Sequence, residues 1–142
     1  MNPQSQLATD VPVAPTRPNL YRLIEMRVDF ALGGNPWAWV KFGCPDGQDR
    51  ASAHTGGDGT IDALFQALNT AIGSPVQLME STIFPPTNCR TTEKPWLVKL
   101  NLIVDGHEAN GTGQALDINE AFTQAYLDAL NTNFLAQDPS VY

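Results

Sequence analysis

Positive charge is scarce in this chain. Eight lysines and arginines stand against 15 aspartates and glutamates, a net charge of −7 over 142 residues. A phosphate backbone or an anionic membrane needs a basic face. The nearest approach to one is the scattered set Arg90, Lys94 and Lys99, so neither nucleic acid nor membrane is expected as a partner. Histidine is equally sparse, at two residues. A zinc-type site wants three or four suitably spaced ligands; His54 and His107 with the adjacent Glu108 fall short, so no metal and no cofactor is expected. The two cysteines, Cys44 and Cys89, form no CxxC pair and sit in no nucleophile motif, which reads as a pair of ordinary reduced thiols. No apolar run approaches the ~20 residues that span a bilayer. Met1 to Pro18 lacks the basic and apolar regions of a secretory signal. A cytoplasmic protein is expected.

What is present is an ordinary core complement, 42% hydrophobic residues, enough for one folded domain rather than a disordered chain. Residues 1–18, with four prolines, read as a flexible arm, residues 19–136 as the folded domain, and 137–142 as a tail. From Leu20 to Phe30 the pattern alternates: Leu20, Ile24, Met26, Val28 and Phe30 on one side, Tyr21, Glu25, Arg27 and Asp29 on the other. Period two marks a half-buried strand. Turn residues 33–36 lead to a second strand from Trp37 to Phe42, and Pro45-Asp46-Gly47 leads to a third from Asp49 to His54. The period then changes. Ile61, Leu64, Phe65, Leu68 and Ile72 fall on one face of a helix, which Gly73-Ser74-Pro75 ends.

The same order recurs: a strand from Val76 to Ile83, a polar loop from Asn88 to Lys94, a strand from Trp96 to Val104, an Asp105-Gly106 hairpin, a short strand from His107 to Gly111, and a helix from about Asn119 to Leu135. The apolar stripe of that helix is Ala121, Phe122, Ala125, Tyr126, Ala129 and Leu130. Pro36-Trp37 and Pro95-Trp96 open equivalent strands, and Gly57-x-Gly59 parallels Gly111-x-Gly113. The expected fold class is α+β: duplicated βββα units (19–75 and 76–136) with pseudo-twofold symmetry, their helices packed on antiparallel sheets.

The stretch Gly56 to Leu64 carries the functional reading. Glycines just ahead of a helix permit positive φ and leave N–H groups open at the positive end of the helix dipole, which suits a carboxylate. Asp62 in the first turn caps the helix or meets an ammonium. An amino acid carries both groups. The plain alternative is a tight turn and a cap.

The run GGDGTIDALFQAL resembles the Gly-Asp-Gly-Pro-Val-Asp-Ala-Leu signature of the C-terminal regulatory domain of 2-isopropylmalate synthases and their citramalate synthase relatives. The run DGHEANGTGQALDINEAFTQAYLDALN is similar to that family's second signature, a strand and Gly-x-Gly leading to Asp-Ile and a helix. The resemblance covers about Leu20 to Asn131. It implies a feedback and dimerisation domain: a homodimer binding leucine or a related amino acid with Gly57, Asp58, Gly59, Ile61, Asp62 and Ala63 from the first repeat and Gly111, Gly113, Asp117 and Ile118 from the second. The chain departs from the pattern at Thr60, where the family has proline, at Ala115, and at Asn119, where it has an apolar residue.

The family's catalytic half is a barrel of about 250 residues. Synthase activity is therefore expected from outside this chain, which reads as a free-standing regulatory subunit serving a separate catalytic chain or as a piece of a larger protein, with no catalytic residues of its own. An alternative reading is a recruited small biosynthetic enzyme or ligand carrier with a pocket made by Trp37, Trp39 and Trp96 beside His54 and His107.

Overall fold

Two three-stranded antiparallel sheets, each carrying one helix, make up the computed structural model, which describes residues 20–30, 34–86 and 94–137. The arm, Cys89, Arg90 and the residues past 137 lie outside the described residues. The order is β1 (Arg22–Asp29), β2 (Trp37–Gly43), β3 (Asp49–Thr55), α1 (Thr60–Ile72), β4 (Val76–Phe84), β5 (Trp96–Val104), β6 (His107–Ala115) and α2 (Ile118–Gln137). The sheets run β1-β2-β3 and β4-β5-β6. The duplicated βββα expectation is met.

Each helix lies on its own sheet, α1 on β2 and β3, α2 on β5 and β6. The alternation of the central strands dictates this. Ala38, Val40 and Phe42 of β2 and Val98, Leu100, Leu102 and Val104 of β5 are buried under the helices. Buried Leu64 and Leu68 come down from α1, and Phe122, Tyr126 and Leu130 from α2. The two halves meet where Phe65 of α1 packs edge-on against Phe122 and Tyr126 of α2, with ring centroids 6.5 and 6.0 Å apart. The Tyr126 hydroxyl donates to Asn69 Oδ1 at 2.7 Å, so the one polar atom of that buried ring is satisfied across the helix pair.

Helix α2 also reaches the first sheet. The Asn131 side-chain amide accepts from Tyr21 N at 2.7 Å and donates to Tyr21 O at 3.0 Å. It pairs with the backbone at the head of β1 as a neighbouring strand would. No helix packs extensively on β4, and every β4 residue after Val76 is exposed.

Three local readings change. First, β1 carries a register shift between Leu23 and Glu25. The extra residue reverses the alternation, so Leu23, Met26 and Val28 pack on the core while Ile24 is exposed. Second, Trp37 and Trp96 open equivalent strands but face opposite ways. Trp37 shares the outer face with Trp39, whereas Trp96 lies on the helix side with Val98. The register shifts of the two edge strands match: Glu25 pairs with Lys41 and Glu80 with Asn101, so Val40-Lys41-Phe42 of the first sheet corresponds to Leu100-Asn101-Leu102 of the second.

Third, Gly111 and Gly113 are not in a loop. Strand β6 runs unbroken to Ala115, and both glycines lie directly beneath α2. A Cβ at Gly111 would strike Ala125 O and Ala129 N, and one at Gly113 would strike Ala121 O. With Ala121, Ala125 and Ala129 above them, the glycines let the helix backbone rest on the strand backbone, leaving no room for any side chain.

Candidate functional site

The first-repeat loop forms as expected. Gly59 caps α1 at φ 143° and ψ 179°, a conformation open to glycine and costly for other residues. Its carbonyl accepts the first helical bond, from Ala63 N at 3.1 Å. Asp62 turns its carboxylate back onto Gly57 N, 3.3 Å away. Gly56 is needed for packing, since a Cβ there would lie 2.5 Å from Ala63 N, whereas Gly57 faces open space.

In the second repeat the counterpart is the segment after β6. Asp117 caps α2: its carbonyl accepts from Ala121 N at 2.9 Å, and its carboxylate from Asn119 N at 3.4 Å. The two helix starts are joined directly. Thr60 Oγ1, in the first turn of α1, donates to Asn119 Oδ1, in the first turn of α2, at 2.9 Å. Two positive helix ends thus converge. The first N–H groups of each have no acceptor within their own helix.

Of the ten residues expected to hold an effector, the structure gathers Gly57, Asp58, Gly59, Ile61, Asp62, Ala63, Asp117 and Ile118 on these two neighbouring helix starts. Gly111 and Gly113 are not brought to them; they sit under the middle of α2. Ile61 and Ile118 are half-buried, while Leu116 beside Asp117 is 60% exposed. Sequence reasoning passed over Leu116 and the Thr60–Asn119 contact. A signal for the contact existed: these two residues are both departures from the family pattern, and they depart as a hydrogen-bonded pair. The junction carries acidic groups, Asp58, Asp62, Asp117 and Glu120, and no lysine or arginine between 56 and 63 or between 116 and 120.

The five residues of the alternative pocket do not converge. Trp37 and Trp39 line a shallow depression of ≈ 270 Å³ with Arg27, whose guanidinium lies 5.8 Å from the Trp39 ring and pairs with Glu25 at 3.0 Å. Trp96 belongs to the other sheet. His54 points to the helix side of β3, where its Nδ1 lies 2.9 Å from Thr55 O. His107 is exposed at the β5–β6 turn. Among the described residues no group of three or more His, Cys, Asp or Glu could hold a metal ion, and no helix is long and apolar enough to cross a membrane.

Comparison with known proteins agrees with this architecture. The model of the LeuA allosteric (dimerisation) domain matches residues 5–134. The chain belongs to this family. Relatives are the 2-isopropylmalate synthases of Gloeobacter violaceus, 33% identical over 114 residues, and Stenotrophomonas maltophilia, 36% identical over 111. These alignments take in 80% and 78% of this chain but only 21% and 20% of the relatives. The match to the Pyrococcus furiosus 2-isopropylmalate synthase is 38% identical over 86 residues, 61% of the chain and 17% of that protein. The chain therefore spans about a fifth of the length of the curated relatives it matches. In this LeuA allosteric domain the family's first signature is a loop and helix cap, and its second is, in part, the seat of a helix.

Proposed function

We propose that this domain senses a branched-chain amino acid, leucine first, at the junction of the two helix starts, and so controls a 2-isopropylmalate synthase-type catalytic unit. The observation that carries the reading is the Thr60–Asn119 hydrogen bond, which holds two helix N-termini side by side. The N–H groups of a helix start suit a carboxylate, while Asp58, Asp62, Asp117 and Glu120 suit an ammonium. Ile61, Ile118 and Leu116 offer apolar contact for an aliphatic side chain. Calorimetry with leucine, isoleucine and valine tests this. Saturable heat is expected with at least one of them and is abolished by Asp117→Ala together with Asp62→Ala. A folded protein that gives no heat with any of the three overturns the reading.

The same proposal includes a homodimer. In the first repeat the helix side of β1 is covered by α2; in the second, β4 has no such cover. Leu78, Met79 and Ile83 are 37%, 57% and 40% exposed on that strand. A second copy docked there would bury this apolar edge, which is otherwise open to stray pairing. Replacing Met79 and Ile83 by glutamate is expected to weaken self-association by about 30-fold or more, the scale of losing interface anchors. Sedimentation velocity across a dilution series reads this directly. An unchanged dimer would place the interface elsewhere.

A further inference from the structure

Near the C-terminal ends of the two helices lies an open cavity of ≈ 350 Å³ lined by Tyr21, Cys44, Pro45, Asp46, Arg50 and Phe134. It lies about 20 Å, the length of α1, from the helix junction. We propose that this cavity is a second ligand site, built for a small carboxylate with an apolar or aromatic body.

Its cation is Arg50. One guanidinium nitrogen, Nη1, is spent on the last carbonyls of α1, at 2.9 Å from Ile72 O and 3.3 Å from Ala71 O. That leaves the Nε and Nη2 donors of a group that carries five N–H bonds. Among the described residues Arg50 has no carboxylate within ion-pair distance. In a chain of net charge −7 this is a positive charge that makes no ion pair among the described residues, is anchored by its second role and lines the cavity. A carboxylate is the ligand group that a guanidinium edge fits best, through two parallel hydrogen bonds.

The remaining walls define the rest of the ligand. Tyr21 and Phe134 supply rings and Pro45 an apolar face. Cys44, 5% exposed, supplies a small buried thiol. The Tyr21 ring is itself braced against Phe42, with centroids 6.3 Å apart. Burial first, then the neighbouring Cys44, raises the Tyr21 phenol above its ordinary value, and burial raises the Cys44 thiol. Both groups thus stay protonated and neutral at physiological pH. The phenol O–H makes no hydrogen bond among the described residues and is available as a second donor to the carboxylate. Asp46 opposes an anion, although one of its oxygens accepts from Gln48 N at 2.9 Å.

The test uses benzoate as probe and the full chain, followed by amide chemical shifts. Benzoate is expected to move the resonances of Tyr21, Cys44 and Phe134 in a saturable way. Benzamide, the same ring without the charge, should bind at least about tenfold more weakly, in line with a lost charge-assisted hydrogen bond. Arg50→Gln should weaken benzoate similarly, and Asp46→Asn should strengthen it. Since Arg50 also holds the end of α1, Phe134→Ala serves as a second variant and should also lose binding. Absent or diffuse shifts, equal binding of benzoate and benzamide, or wild-type affinity in the Phe134→Ala variant would overturn the proposal. A leucine titration of the same sample reports on residues 57–63 and 116–119, so the failure of either site is seen separately.

Discussion

Gly111→Val is expected to cost more stability than the same substitution at any other described glycine except Gly113. Its side chain would have to occupy the place of Ala125 O and Ala129 N. These are backbone atoms of a helix fixed at many points, so the clash cannot be relieved by a rotamer change. The helix must lift off β6, which opens the core along buried Leu100, Leu102, Ala125 and Ala129. The expected loss is at least about 3–5 kcal/mol, the scale of severe core disruption, and Gly113→Val should behave in the same way. Gly57→Ala is the control: a Cβ there meets nothing within 4 Å, and a loss under about 1 kcal/mol is expected. Urea denaturation of the three variants measures the contrast. A Gly111→Val protein as stable as the parent would mean that α2 does not sit on β6 as described.

The second large effect belongs to Tyr126. Its side chain is fully buried, packs edge-on against Phe65, and hydrogen-bonds Asn69. Tyr126→Ala removes the ring where the two repeats meet and is expected to cost about 3–5 kcal/mol by analogy with other buried aromatics. Tyr126→Phe keeps the ring but strands Asn69 Oδ1, at a cost of about 1–3 kcal/mol. The two variants separate packing from polar satisfaction. The phenol also makes a pH prediction. Burial raises its pKa well above that of an ordinary phenol. A neutral group favoured by the fold contributes stability that is intact below about pH 10 and lost as the pH rises from there towards the raised value. Denaturation midpoints should therefore fall above pH 10 in the parent, and that fall should shrink in Tyr126→Phe. An identical alkaline profile for the two would exclude Tyr126 as its source.

Much of the fold could be read from the chain because the periodicity is unambiguous. The Val98-Leu100-Leu102-Val104 alternation, the Asp105-Gly106 hairpin and the apolar stripes of both helices all form as their patterns require. Asp105 and Gly106 take φ of 51° and 83°, the mirror-image turn that joins two strands tightly. The misreadings share a cause: the local pattern was right, but the partner across the fold was invisible. Ile24 alternates with its neighbours until a bulge, set by pairing with β2, displaces it. Trp37 and Trp96 share a Pro-Trp signature, yet sheet register turns them to opposite faces. Glycines ahead of a helix suggest a loop at both 57–59 and 111–113, and only the packing of alanines on α2 distinguishes a cradle from a seat. The candidate site was half readable for the same reason. Its first-repeat residues are contiguous, but its completion by Asn119 depends on a contact across 59 residues.

Seating α2 backbone-to-backbone on β6 makes the second repeat behave as a stiff lever. The helix has 20 residues and so is about 30 Å long. It cannot slide or roll on its strand without breaking the contacts that Gly111 and Gly113 permit. A tilt of about 5° at the Thr60–Asn119 end would therefore be magnified to roughly 2–3 Å at the far end by that length alone. Asn131 lies well along that arm and grips Tyr21. A disturbance of the helix starts is thus delivered mechanically to the head of β1, where the chain continues towards residues 1–19.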